Sequence, residues 1–228
     1  MKLIYQGKTK DIYQVDDLLC LKFKDDVTGT DGQFDPGANQ VGLSIAGMGK
    51  LNLLMTTYFL EVLTSAGLAT HFVSTDLEAD TMLVKPLEAF GQGLEVITRY
   101  RATGSFIKRY GAYVAEGQTL DAYVELTLKD DQRQDPLVTS EGVVTLGIIT
   151  KEQYQSLIAL NIQATEIIKA DLVAKGLDLY DIKLEFGYQI GKPDQIVLMD
   201  EISGGNMRVY QGERLLSPSE LAAFYNEH

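Results

Sequence analysis

The 228 residues contain no tryptophan, one cysteine, two histidines and five prolines. A single cysteine, Cys20, excludes an internal disulfide framework. With only His71 and His228 to join it, it also excludes a zinc-type cysteine/histidine cluster. No stretch approaches the ~18 consecutive apolar residues of a membrane-spanning helix, and the apolar part of MKLIYQGKTK is too short for a secretory leader. Positive charge is scarce too. Twenty lysines and arginines against 32 acids leave a net charge of -12, whose field repels polyanions and so argues against a general nucleic-acid or anionic-membrane surface. A local anion seat remains compatible with that field. What is present is ordinary globular composition, 45% hydrophobic and 23% charged, with no low-complexity run, and a cytoplasmic protein is expected.

The length suits one large domain or two lobes. Strand-like runs crowd the first third: 3–5, 11–15, 18–23, 71–73 and 82–85. Between them Met48, Leu51, Met55, Phe59, Val62 and Leu63 recur at three-to-four spacing, predicting an amphipathic helix over 48–66 that Gly67 stops. A second set of strands follows at 94–100, 124–128, 177–186 and 195–200. It is interrupted by a long helix opened by the Thr150/Gln153 capping box and closed by Gly176. Ser217-Pro218-Ser219-Glu220 opens a last short helix with proline at its first position. Strands grouped with helices rather than alternating with them predict an α+β fold in two lobes, 1–88 and 89–228, divided where Pro86, Gly91 and Gly93 cluster. A cleft between lobes is then the default site.

Four segments could carry chemistry. Gly7-Lys8-Thr9-Lys10 is a glycine turn that presents two lysines, able to lay backbone N–H groups and ammonium against phosphate. Arg99, Arg101, Lys108 and Arg109 concentrate four cations around Gly104 and Ser105 in an acidic chain, the make-up of a phosphate seat. The loop Lys129–Pro136 holds three carboxylates, and Asp200-Glu201 end an apolar run. With Glu185 of DIKLEFG these acids offer the oxygen ligands that Mg²⁺ takes when it is shared with a nucleotide. Taken singly, each has a plain alternative: an exposed hairpin, a charged helix start, or an acidic loop. Asp181, Lys183 and Glu185 also alternate with apolar residues, so a strand would present all three on one face, which in isolation reads as a solvated face.

Read in order, GKTKDIY (7–13), FKDD (23–26), GLATHF (67–72), RATGSFIKRYG (101–111), KDDQRQDP (129–136), DIKLEFG (181–187) and DEIS followed by NMR (200–208) resemble the SAICAR synthetase family of purine biosynthesis across nearly the whole chain. The resemblance implies a two-lobed α+β fold with antiparallel sheets, packed helices and an ATP cleft between the lobes. It implies an ATP- and Mg²⁺-dependent ligase that joins an imidazole-nucleotide carboxylate to the amine of aspartate through an acyl phosphate. By that resemblance Lys8 and Lys10 would meet the ATP phosphates and Glu185 and Asp200 the metal. Lys183 and Asp135 would work beside the substrate carboxylate, and Arg99, Ser105 and Arg208 would hold the ribose phosphate. Its partners would be small molecules, a phosphorylated imidazole nucleotide and an amino acid, and a homo-oligomer stays open.

The chain departs from the family pattern in several places. Ser203-Gly204-Gly205 stands where the family has Ser-Pro-Asp, so an acid that could hydrogen-bond the nucleotide is missing at Gly205 and Asn206 is the nearby polar group. Tyr100 follows Arg99 in place of asparagine, the segment 32–50 is long and glycine-rich, and the family's C-terminal helical segment extends further than His228. Two of these changes fall on the expected substrate side. A divergent paralogue joining another acid or amine therefore stands beside the named reaction, as does a nucleotide sensor without turnover.

Overall fold

The structure, a computed structural model, describes residues 1–30, 33–34 and 40–226. The expected loop at 32–50 therefore lies partly outside the described residues. Two compact units form: Met1–Leu87 with Glu201–Asn206 and Leu216–His228, and Glu88–Asp200 with Met207–Leu215.

In the first unit, β1 (Lys2–Gln6), β2 (Lys10–Val15), β3 (Leu18–Phe23), β7 (Phe72–Asp76) and β8 (Thr81–Val84) pair antiparallel in the order β1-β2-β3-β8-β7. A smaller sheet runs β5-β4-β6, from β4 (Asp26–Thr30), β5 (Gln33–Phe34) and β6 (Val41–Ser44). Helix α1 (Met48–Ser65) forms on the predicted stripe, with Met48, Met55, Phe59 and Leu63 all fully buried. It stops as expected: Gly67 takes φ +88 and the Leu68 N–H returns to the Leu63 carbonyl at 3.0 Å.

The C-terminal helix belongs here too, whereas the expected 88/89 division gave everything after it to the second lobe. Helix α5 (Pro218–Ala223), opened by the Ser217/Glu220 capping box, packs on α1. The Tyr225 ring lies 5.2 Å from Phe59 and 4.9 Å from Tyr58. Burying Tyr225 against α1 contributes about 1.5–3 kcal/mol, a contact that sequence separation hides.

The second unit is one antiparallel sheet. From β9 (Leu87–Ala89), β10 (Leu94–Arg101), β11 (Thr119–Leu128), β12 (Leu137–Val138), β13 (Asp178–Gln189), β14 (Lys192–Met199), β15 (Met207–Gln211) and β16 (Arg214–Leu215) it takes the order β12-β11-β10-β13-β15-β16, with β14 and β9 also on β13. Two short helices, α2 (Ser105–Tyr110) and α3 (Ser140–Thr145), join the long α4 (Lys151–Ala174), whose Thr150/Gln153 capping box forms as read from sequence. Helix α4 covers one sheet face. Leu157, Ala164, Ile168 and Leu172 are buried on it, Asn161 donates to the Thr98 hydroxyl at 2.6 Å and the Tyr100 hydroxyl donates to Thr165 at 3.0 Å.

Because side chains alternate, the residues beside Thr98 and Tyr100 point the other way. The register sets Glu95, Ile97 and Arg99 opposite Thr127, Glu125 and Tyr123 on β11, and opposite Glu185, Lys183 and Asp181 on β13. Arg208 of β15 faces Asp181. One face of this sheet is apolar and lies under α4, and the other is a row of charges.

Candidate active site

The charged face has two centres. At the first, Arg99 is 2% exposed and is held from three sides. It donates from Nε and Nη2 to Glu125 Oε1 at 2.8 and 2.6 Å, from Nη1 to Asp181 Oδ2 at 2.6 Å, and from Nη2 to Ser105 Oγ at 2.9 Å. Arg208 Nη1 reaches the same Asp181 oxygen at 2.8 Å, and Arg109 donates to both oxygens of Glu125 at 2.7 Å. Burial pushes the Asp181 carboxyl up while Arg208 and Arg99 pull it down. Arg99, Ser105 and Arg208, expected together from sequence, are therefore brought together, and Asp181 and Glu125 brace them. Tyr100, one of the departures, points into the α4 interface and leaves this centre untouched.

Gly104 completes the centre. Its φ of +57 with ψ -130 is a conformation that suits glycine, and a Cβ there would lie 2.8 Å from Arg208 Cζ. Relief of that contact means moving the guanidinium off Asp181. Gly104→Ala is expected to cost about 1–3 kcal/mol of stability from backbone strain, read by thermal unfolding, and to weaken anion binding beyond that. A variant with wild-type stability and binding would show that Arg208 has room to move without loss.

The second centre lies four residues along β13, about 13 Å by strand rise. Lys129 Nζ donates to both Glu185 oxygens at 2.8 and 2.7 Å. Lys183 Nζ donates to Glu95 Oε1 at 2.6 Å, and Glu95 Oε2 accepts from the Thr127 hydroxyl at 2.8 Å. Glu185 pairs with Met199 in the ladder, so Asp200, at φ +65 one residue further on, ends β14 beside it. Burial raises the Glu185 carboxyl's pKa, the Asp200 charge raises it further, and Lys129 and Lys183 oppose this. For both lysines burial disfavours the charge, but the carboxylates outweigh it and hold the ammoniums charged above the usual range. Glu185 then Asp200 act on Lys129, and Glu95 then Glu185 on Lys183.

Among the described residues no cluster of three or more His, Cys, Asp or Glu is placed to hold a metal. A cation at Glu185 and Asp200 would thus have two protein carboxylates, which suits Mg²⁺, bound commonly through one or two carboxylates with phosphate and water completing its shell. The mutual repulsion of these two acids is what such an ion relieves.

Asp135 is placed differently from a simple loop acid. Gln134 and Asp135 both take left-handed φ values, +59 and +45, and Asp135 Oδ1 accepts from the Asp130 N–H at 2.7 Å, closing the 130–135 loop on itself. In the first unit, the GKTK turn closes through Gly7 N–H to the Lys10 carbonyl at 2.9 Å, and Lys24 Nζ donates to the Gly7 carbonyl at 2.8 Å. Lys8 lies within the turn, between β1 and β2. Lys10 Nζ bonds Glu201 Oε2 at 2.6 Å, and Ser203 Oγ donates to the other Glu201 oxygen.

The two glycines of the departed motif are sterically accounted for. A Cβ on Gly204 would meet Pro218 Cα at 2.7 Å, and one on Gly205 would meet Glu201 Oε1 at 2.9 Å. Asn206 fastens the same turn, accepting from Ser203 N–H at 2.9 Å and donating to the Glu201 carbonyl. His71 is buried, 5% exposed. Sequence reading missed Glu95, Glu125 and Lys129 as members of these centres, and placed Arg109 only within a cationic segment. The available signal was the parallel alternation of polar positions in LEVITRYR, YVELTLK and DIKLE.

Fold and centres together define an α+β protein with a buried, charge-paired sheet face. The chain belongs to the SAICAR synthetase family, whose model matches residues 3–220. It is 51% identical over 222 residues, 97% of each chain, to the phosphoribosylaminoimidazole-succinocarboxamide synthase of Clostridium tetani. Among solved structures it is similar to a SAICAR synthetase (Type-2) in complex with ADP, at 31% identity and TM-score 0.82 over 98% of this chain and 91% of that one. The Ehrlichia chaffeensis phosphoribosylaminoimidazole-succinocarboxamide synthase gives 25% identity and TM-score 0.84 over 96% and 90%. An identity of 51% over nearly the full length corrects the divergent-paralogue reading that the glycine and loop departures had opened. No helix among the described residues is long and apolar enough to cross a membrane.

Proposed function

We propose that this chain catalyses the ATP-dependent joining of carboxyaminoimidazole ribotide to L-aspartate, the SAICAR-forming step of purine biosynthesis. The observation that carries it is the 51% identity with the Clostridium tetani synthase across 97% of both chains. The second unit's sheet face offers the matching chemistry. A guanidinium–hydroxyl centre and a carboxylate–ammonium centre lie about 13 Å apart along one strand, the scale of a nucleotide monophosphate from end to end.

A carboxylate and an amine do not condense in water because the leaving group would be hydroxide. A substrate carboxylate oxygen attacks the γ-phosphorus of ATP and ADP departs, leaving an acyl phosphate. The aspartate nitrogen then attacks the acyl carbon, inorganic phosphate leaves and the amine sheds a proton. Such chemistry depends on positioning and charge neutralisation. Arg99, Ser105 and Arg208 take the ribose phosphate, with Asp181 and Glu125 fixing the arginine forks beforehand. Lys8 and Lys10 take ATP phosphates, and Lys183 and Asp135 orient the substrate carboxylate. Glu185 and Asp200 would hold Mg²⁺, which when bound neutralises phosphate charge. The ADP bound to the similar Type-2 structure supports the nucleotide assignment.

The direct test supplies carboxyaminoimidazole ribotide, L-aspartate, ATP and Mg²⁺ and follows the amide product together with ADP and phosphate. Turnover with another acid or amine but none with this pair would reject the reading. Arg208→Ala is expected to raise KM for the ribotide roughly 10- to 100-fold while KM for ATP changes little. Equal rises for both would remove Arg208 from the phosphate seat.

A further inference from the structure

The block Phe23-Lys24-Asp25-Asp26 has no part in the reaction as described so far, yet it is built around the turn that carries Lys8 and Lys10. Phe23 ends β3 and pairs with Lys10 of β2, whose ammonium lies 5.4 Å from the Phe23 ring. One residue on, the Lys24 N–H donates to the Thr9 carbonyl at 2.9 Å, carrying the ladder into the turn. Asp25 fastens the chain to α1: its carboxylate accepts from the Gly47 and Gly49 N–H groups at 3.0 and 2.9 Å. Gly49 packs so closely that a Cβ there would lie 3.0 Å from the Lys24 carbonyl carbon. The Lys24 backbone is thus fixed between a strand pair and the start of a helix.

Its side chain doubles back on the same turn. Nζ donates to the Gly7 carbonyl at 2.8 Å, while Asp11 Oδ1 and Asp26 Oδ2 stand further off, at 3.5 and 3.6 Å. A lysine placed only to meet acids at the surface would gain little and would have no reason to take a neutral carbonyl first. Gly7 opens the turn and Asp11 follows it, so this one residue ties the turn at Gly7, Thr9 and Asp11. The turn is tight as well: a Cβ on Gly7 would meet the Lys10 carbonyl oxygen at 2.5 Å. Lys8, Lys10 and Lys24 gathered at so short a segment repel one another, and the Asp11 and Asp26 charges offset the one that Lys24 adds.

We propose that Lys24 is a positioning residue for the ATP phosphates, holding the GKTK turn in shape through the Gly7 and Thr9 carbonyls, a role that rests on the assignment of Lys8 and Lys10 to ATP given above. A triphosphate then meets a turn already set, and the ordering of its backbone is done in folding rather than at binding. Lys24 acts through the turn and does not touch the nucleotide.

The test measures binding of ATP and of adenosine, which lacks the phosphates, by calorimetry, beside KM for the ribotide. The proteins are wild type, Lys24→Met, Lys24→Arg, Lys8→Ala/Lys10→Ala, and that pair combined with Lys24→Met. Lys24→Met should weaken ATP roughly 10- to 100-fold while adenosine affinity and the ribotide KM stay within about twofold. Lys24→Arg keeps the charge and a donor and should bring ATP back to within about threefold of wild type. Where Lys8 and Lys10 are already alanine, the turn has little left to present, and adding Lys24→Met should cost less than about threefold. The full loss persisting in that background would make Lys24 a direct phosphate contact and overturn the proposal. Equal weakening of ATP and adenosine would make it merely structural and overturn it too, as would unchanged ATP binding in Lys24→Met. If Lys24→Met does not fold, Asp11→Asn carries the test, with ATP weakened roughly two- to fivefold and adenosine unchanged. No weakening there overturns it equally. Wild-type ATP affinity in Lys8→Ala/Lys10→Ala would instead show the phosphate assignment of the turn wrong, and the proposal falls with it.

Discussion

Turnover is expected to fall about 10²–10³-fold in Glu185→Gln and in Asp200→Asn, with both proteins still folded. Each change removes one carboxylate charge from the centre that neutralises phosphate while leaving size almost unaltered. Folding should tolerate Glu185→Gln because the partner left behind, Lys129, has its side chain 45% exposed and can turn to water. The titration of Glu185 points the same way. Burial first, and then the Asp200 charge, raise its pKa in the folded chain. A raised acid contributes stability that is fully present below the ordinary carboxylate range and is lost as pH rises through its folded pKa. The glutamine variant should lack that fall. Unfolding midpoints followed across pH, beside steady-state rates at saturating Mg²⁺, check both statements, and full turnover in either variant would show that the ligands are assigned wrongly.

Asp181→Ala should act on the fold rather than on turnover alone, destabilising by about 3–5 kcal/mol in chemical denaturation. One Asp181 oxygen accepts from both Arg99 and Arg208, and Arg99 is 2% exposed, so removal leaves guanidinium charge in a buried setting. An exposed helical pair gives the contrast. Lys169 and Glu166 stand 3.8 Å apart with side chains 35% and 50% exposed, and Glu166→Ala should cost about 0–1 kcal/mol. If both variants lost the same small amount, Asp181 would be an ordinary surface partner and the bracing of the arginine seat would need another source.

The elements that sequence foretold are those whose signal is local. Apolar spacing in 48–66 and the paired caps at Thr150/Gln153 and Ser217/Glu220 each lie within a few residues of the structure they produce. The small sheet of β4, β5 and β6 and the helices α2 and α3 were not foreseen, being short segments with weak periodicity. Site residues divide along the same line. Glu185, Asp200, Arg99, Ser105 and Arg208 could be named as candidates because they sit in dense motifs, whereas Glu95 and Glu125 are single acids in apolar strands. Glu95 meets Lys183 across 88 positions of sequence, and Glu125 meets Arg99 across 26. Only strand register brings those pairs together, and one sequence does not state its register. Of the glycines at 204 and 205, where the family's acid is lost, the first is held by the Pro218 backbone, which leaves no space for a Cβ, whereas a Cβ at the second would have to displace the end of the Glu201 side chain.

The return of Glu201–Asn206 and the C-terminal helix to the first unit has a consequence for biosynthesis on the ribosome. Strands β1 to β3 are translated well before the second unit, yet the surface of α1 that receives Tyr225 stays uncovered until Tyr225 itself has been made. At roughly 5–20 residues per second that delay amounts to about 10–30 s. The second unit, whose segments end at Leu215, is translated in full during that interval, so the part begun earliest is the part completed last.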